Sequence, residues 1–152
     1  DEAVANRGLE KIKTIGDAYM VAGGLPKPQP NHASLLLSLG HEMLEIMDQH
    51  NEKHGLQLRL RIGLCTGPLI AGVIGNQKLS YDIWGDTVNM ASRMESTGVP
   101  GRIQVTETVV HEADDQFSFE ERGLVDVKGK GEMRTYFVTK GSEDSEESDE
   151  TS

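Results

Sequence analysis

Residues Lys78–Ser96 read KLSYDIWGDTVNMASRMES. The run around Ser80–Ile83 has the aromatic and β-branched make-up of a short strand and carries one carboxylate, Asp82. Gly85 and Asp86 end it, and Asp86 is suited to cap a helix from about Thr87 to Glu95. On that helix Asn89, Arg93 and Ser96 fall at i, i+4 and i+7, one face, while Val88, Ala91 and Met94 fall on another. A helix docked through Val88, Ala91 and Met94 would present an amide and a guanidinium side by side across a cleft. The guanidinium is a planar, permanently charged donor suited to phosphoryl oxygens. Spacing alone favours the plainer reading, a surface arginine with an asparagine that satisfies the helix.

Upstream, Leu58, Leu60, Ile62 and Leu64 alternate with Arg59, Arg61, Gly63 and Cys65, the pattern of a half-buried strand. Thr66-Gly67-Pro68 turns the chain into LIAGVIG, a second strand. Gly67, Gly72 and Gly75 invite comparison with a phosphate-binding loop, but no Gly-Lys-Ser/Thr follows, and tight turns account for them better. Further back, Asn31 can cap a helix from His32 to His54 that Gly55 would stop, with Leu35, Leu36, Leu39, Met43, Ile46 and Met47 at helical spacing. LEKIKTIGDAYMVAGG, ending at Gly24, reads as two short strands around Gly16 and Asp17. Downstream of GVPG, the runs RIQVTETVV and FSFEERG are strand material with a short helical turn between them. LVDVKGKGEMRTYFV reads as a final hairpin around Gly129 and Gly131. Strands joined largely by hairpins, with only two substantial helices, predict an α+β fold: a ferredoxin-like, antiparallel-rich sheet with helices packed on one face.

The 152 residues suffice for one domain with a core, and 36% hydrophobic with 26% charged residues is ordinary for a globular chain. The formal net charge is −10. The tail GSEDSEESDETS, residues 141–152, holds six acidic and no basic residues, leaving 15 basic against 19 acidic residues in the body. The tail reads as disordered. The body lacks the basic field of a nucleic-acid binder, so no nucleic-acid partner is expected. No apolar run approaches the ~20 residues of a membrane helix, so no membrane contact by this segment is expected. The single Cys65 excludes an internal disulfide and fits a reducing compartment. His50 and His54 are spaced i, i+4, but no further Cys or His pair stands near them in sequence to complete a metal site.

Three ordered motifs, EKIKTIGDAYM, YDIWGDTVNMASRMEST and VKGKGEMRTYF, resemble the catalytic domain of the class III adenylyl and guanylyl cyclases, and the resemblance runs from about Gly8 to Lys140. It divides the chain into a partial nucleotide cyclase catalytic domain, residues 1–140, and the acidic tail, residues 141–152. It implies attack of a ribose 3′-hydroxyl on the α-phosphate of a nucleoside triphosphate, with release of pyrophosphate, assisted by two Mg²⁺ or Mn²⁺ ions. By resemblance Asp17 is a metal-binding aspartate, Arg93 stabilises the charge of the transition state, Asn89 orients the ribose and Lys128 holds the terminal phosphates. Lys13 and Asp82 occupy the positions that read the base. Lysine only donates and ionised aspartate only accepts. Together they match N1 and the 6-amino group of adenine, and the implied substrate is ATP. Cyclic-GMP-forming members usually carry Glu and Cys at these two places.

The family domain opens with a strand bearing another aspartate, in a pattern like F-x-D-[IV]-x-G-F, followed by two helices, and nothing here matches it. The chain is therefore expected to be a fragment, inactive alone, with the second aspartate ligand absent. Family sites lie between two catalytic domains. This chain carries both Asp17 and the set Lys13, Asp82, Asn89 and Arg93, which suits a homodimer with two sites. The resemblance implies a cytoplasmic location, with the parent protein open to membrane anchoring. A guanylyl cyclase and a non-catalytic cyclase-like dimerisation module are the alternatives.

Overall fold

The computed structural model describes residues 2–15, 18–24, 29–75, 80–127 and 131–140. In chain order the elements are α1 (Glu2–Asn6), β1 (Glu10–Ile15), β2 (Ala18–Ala22), α2 (His32–His54), β3 (Ile62–Leu64), β4 (Ile70–Ile74), β5 (Ser80–Trp84), α3 (Asp86–Ser96), β6 (Ile103–Thr106), α4 (Glu107–Glu112), β7 (Ser118–Val127) and β8 (Gly131–Lys140). The fold is α+β and rich in antiparallel pairs, as expected. Its described strands form three ladders instead of one sheet: β1–β2, β3–β6–β8–β7 and β4–β5. Only β3–β6 is parallel. The β1–β2 and β4–β5 hairpins pair within themselves, and a side-chain contact between Lys13 and Asp82 joins them.

The main core lies under the four-stranded ladder. Leu37 of α2, Leu64, Ile103, Val105, Val109 of α4, Phe117 and Val138 are buried together. A second cluster joins Val4 and Leu9 to Leu39 on another side of α2. Because α2 serves both clusters, it needs more than one apolar stripe. Leu37 and Ala33 are buried, whereas Ile46, expected on the apolar face, is 50% exposed. The helix stops as the sequence predicts: Gly55 adopts φ 65°, and its amide donates to the Asn51 carbonyl. Asn31 stands at the N-cap position without a side-chain cap bond.

The strand expected over Leu58–Cys65 is shorter, with only Ile62–Leu64 laddered. Its partner β6 is itself four residues long. The preceding segment is held instead by the Asn51 side chain, which donates to Leu58 O at 2.7 Å and accepts from Leu58 N at 3.1 Å. That amide supplies the hydrogen bonds a neighbouring strand would have given. At the other end, the strand runs FSFEERG and LVDV merge into the single strand β7, which a bulge between Glu121 and Gly123 bends. Among the described residues no helix is long and apolar enough to cross a membrane.

Candidate active site

Lys13 and Asp82, 69 positions apart in sequence, meet in the structure. The Lys13 ammonium donates to Asp82 Oδ2 at 2.7 Å, and the Ile83 amide donates to Oδ1 at 2.8 Å. A bulge between Lys11 and Lys13 makes this possible, because it breaks the alternation of β1 and re-aims the strand. Lys11 goes elsewhere, with its ammonium 5.2 Å from the Tyr19 ring centre. Asp82 is 7% exposed. The hydrogen bond from Lys13, then that from Ile83, holds its carboxyl below the usual carboxylate range. The pair therefore sets a lysine donor beside a carboxylate acceptor. Each carboxylate oxygen keeps a second lone-pair direction for another donor.

Helix α3 begins at Asp86, one residue earlier than expected, with Gly85 at the N-cap position at φ 123°, a conformation side chains rarely tolerate. It docks through Met90 and Met94, which pack with Val127, Met133 and Cys65; of the expected stripe Met94 is fully buried, while Val88 and Ala91 are half-buried and Met90 takes their place in the core. Asn89 is exposed and Arg93 half-buried. The guanidinium of Arg93 donates through Nε (3.2 Å) and Nη2 (2.9 Å) to the carbonyl of Asp126, near the end of β7. Arg93 is thus tied to the strand that leads to Lys128.

Two features seat the helix. Gly63 of β3 lies so close that a Cβ there would stand 2.2 Å from Glu95 N, 2.5 Å from Met94 C and 2.8 Å from Ala91 O. Beside it in the parallel register is Gln104 of β6. Its fully buried side chain donates to Met94 O at 3.0 Å and to Thr97 Oγ1 at 2.8 Å. Arg122 Nη1 donates to both Gln104 Oε1 and the Thr97 carbonyl.

Asp17 falls between β1 and β2, and Lys128 between β7 and β8; both lie outside the described residues. Among the described residues, no group of three or more His, Cys, Asp or Glu side chains is placed to hold a metal ion. The His50 and His54 rings lie 4.6 Å apart without such a third ligand. Burial pushes the Cys65 thiol pKa up, which disfavours a nucleophilic thiolate.

The adenylate and guanylate cyclase catalytic domain family matches residues 1–140. This chain belongs to that family. The cyclase domain is 48% identical over 138 residues to an adenylate cyclase of Mycobacterium bovis, a match covering 91% of this chain and 31% of that protein. It is 41% identical over 140 residues to the human guanylate cyclase soluble subunit beta-2, covering 91% of this chain and 23% of that protein. The chain thus spans about a third or less of these relatives. Its structure resembles the guanylate cyclase domain of RhGC from Catenaria anguillulae, solved in complex with GTP, with a TM-score of 0.85 and 37% identity, covering 93% of this chain and 78% of that one. Relatives of both substrate types are therefore close, and family membership alone leaves the base open.

Sequence reasoning passed over Gly63, Gln104 and Arg122. Gly63 was legible only as one member of an alternating strand. A glutamine set between Ile103 and Val105 is the one signal the sequence offered for a buried polar group in β6.

Proposed function

We propose that this cyclase domain converts ATP into 3′,5′-cyclic AMP and pyrophosphate, as a homodimer with Mg²⁺ or Mn²⁺. The observation that carries it is the Lys13–Asp82 pair at 2.7 Å. A donor and an acceptor held side by side, one of them buried, complement N1 and the 6-amino group of adenine. Guanine would set its N1–H donor against the lysine and its O6 acceptor against the carboxylate. A site built around such a pair can reject the wrong base by ~10⁴-fold in favourable cases, since mismatched polar groups are left unpaired.

In this function Arg93 donates to the α-phosphoryl oxygens as charge builds there, and Asn89 orients the ribose so that its 3′-hydroxyl lies in line. Lys128 holds the terminal phosphates. Asp17 would hold a divalent cation, which when bound would supply charge neutralisation of the triphosphate and a more acidic 3′-hydroxyl. Dimerisation is supported by the β4–β5 hairpin, whose Ile70 (68%), Val73 (59%), Ile74 (48%) and Trp84 (39%) are exposed. Apolar patches of that kind mark interaction surfaces.

The similarity to guanylyl cyclases makes GTP the competing substrate. The test is kcat/KM for ATP and GTP in the full-length protein and in Lys13→Glu, Asp82→Cys and the double variant. The double variant should lose ATP turnover and gain relative GTP turnover, because glutamate accepts from guanine N1–H and the thiol donates weakly to O6. Each single change should chiefly damage ATP use. An ATP-to-GTP ratio that stays within a few-fold of the parent across all four proteins would remove Lys13 and Asp82 as base readers.

A further inference from the structure

Resting on the proposed role of Arg93, we infer that Gln104 is a positioning residue for it, acting through the Met94 carbonyl. Gln104 is the only fully buried amide side chain among the described core residues, and its contacts converge on one place. Its Nε2 donates to the carbonyl of Met94, the residue that immediately follows Arg93, and to the hydroxyl of Thr97. The same Thr97 hydroxyl donates to the Arg93 carbonyl at 2.7 Å, and the Thr97 amide donates to that carbonyl at 2.9 Å. Gln104 therefore grips the end of α3 just C-terminal to Arg93, directly at Met94 and through Thr97 at the Arg93 carbonyl.

The grip is itself braced. Gln104 Oε1 accepts from Arg122, whose guanidinium also caps the Thr97 carbonyl and lies 5.3 Å from the Phe137 ring centre. Phe137 is the β8 partner of Gln104 in the ladder, and Gly63 is its β3 partner. Gly63, Gln104 and Phe137 thus form one row on the face of the sheet that meets α3. Gly63 sets how near the helix comes, and Gln104 sets its position along and around its own axis. Arg93 is the first side chain that a slip of that turn would move. Asn89, one turn earlier, and the Lys13–Asp82 pair on other strands would move less.

Replacing Gln104 by methionine keeps the volume and removes both donors and the acceptor. In the full-length protein, Gln104→Met should lower kcat by ~10- to 100-fold, in line with the cost of a displacement near 1 Å at a reacting centre, and leave KM for ATP within about twofold. The decisive measurement is non-additivity. Added to Arg93→Ala, Gln104→Met should cost less than about twofold further, because the group it positions is gone. A residue with a merely structural role would multiply its loss onto Arg93→Ala. Arg122→Met, at an exposed position, offers a milder version should Gln104→Met fold poorly: it frees the Gln104 oxygen and should lower kcat in the same non-additive way. Parent-like kcat in Gln104→Met, or in Arg122→Met where the first variant does not fold, overturns the inference. So does full multiplication with Arg93→Ala. An Arg93→Ala protein with parent turnover removes the proposed role of Arg93, and the inference falls with it. An inactive Arg93→Ala beside a fully active Gln104→Met leaves that role standing and rejects only Gln104.

Discussion

Replacing Gly63 by alanine would place a methyl carbon 2.2 Å from the amide nitrogen of Glu95, 2.5 Å from the carbonyl carbon of Met94 and 2.8 Å from Ala91 O. All three are backbone atoms of α3, so no side-chain rotation relieves the contact. To restore even a tight separation of 3.4 Å, the helix must retreat by roughly 1 Å, or β3 must bend by as much. Overpacking of this kind costs ~1–3 kcal/mol. Alanine recovers ~0.4–1 kcal/mol by restricting the unfolded chain, leaving a net loss of about 1–2 kcal/mol. For a chain of this length that corresponds to a fall in melting temperature of ~2–8 °C. The retreat also displaces Arg93, and if Arg93 holds the α-phosphate as proposed, a displacement of ~1 Å at a reacting centre can cost ~10²-fold in rate. Thermal melting of the purified protein and kcat with saturating ATP, measured well below the melting point, read the two effects separately. Gly63→Ala with the parent's melting temperature and kcat would refute the close seating of α3 on β3 and the link from that seat to turnover.

Arg93→Ala in the full-length protein should lower kcat by ~10²–10³ with little change in KM for ATP, the pattern of a donor used in the transition state. An unchanged kcat with a raised KM would assign Arg93 to ground-state binding instead. If sites are shared between two copies, Asp17→Ala and Arg93→Ala proteins, each inactive, should partly complement when mixed, since a mixed dimer rebuilds one intact site; heterodimers without activity count against sharing. Because the Asp82 carboxyl titrates lower in the folded protein than its unfolded value of ~3.9, its contribution to stability is fully present above that value and is lost as pH falls through the folded pKa. The stability gap between the parent and Asp82→Asn, followed by urea unfolding, should accordingly be constant from about pH 5 to 8 and close in acid below ~pH 4; a gap that closes between pH 6 and 8 would point to another titrating group.

Local patterns made much of the scaffold legible. The 3.6-residue spacing of α2, the stop at Gly55 and the β7–β8 hairpin all follow from preferences that act within a few residues. The motifs around Lys13, Asp82 and Arg93 were likewise visible as ordered blocks. Periodicity misled where a distant group replaced the expected partner. Asn51 took the place of a strand for Leu58, and the double duty of α2 left Ile46 in solvent. On α3 the buried stripe passes through Met90 and Met94, because the helix axis is set by the surface it meets at Gly63 and not by its own sequence.

The sequence by itself determined which chemical groups the proposed site can hold: a lysine, an aspartate, an asparagine and an arginine, at Lys13, Asp82, Asn89 and Arg93. Only the tertiary structure decided that Lys13 and Asp82 face each other, since a bulge in β1 and a separate hairpin 69 positions away had to converge. It also decided that Arg93 leans on the carbonyl of Asp126 and that its helix rests on a glycine and a buried glutamine. Those contacts join backbone atoms and side chains from strands far apart in the chain, and no local preference encodes them, because each exists only once the other strand has arrived.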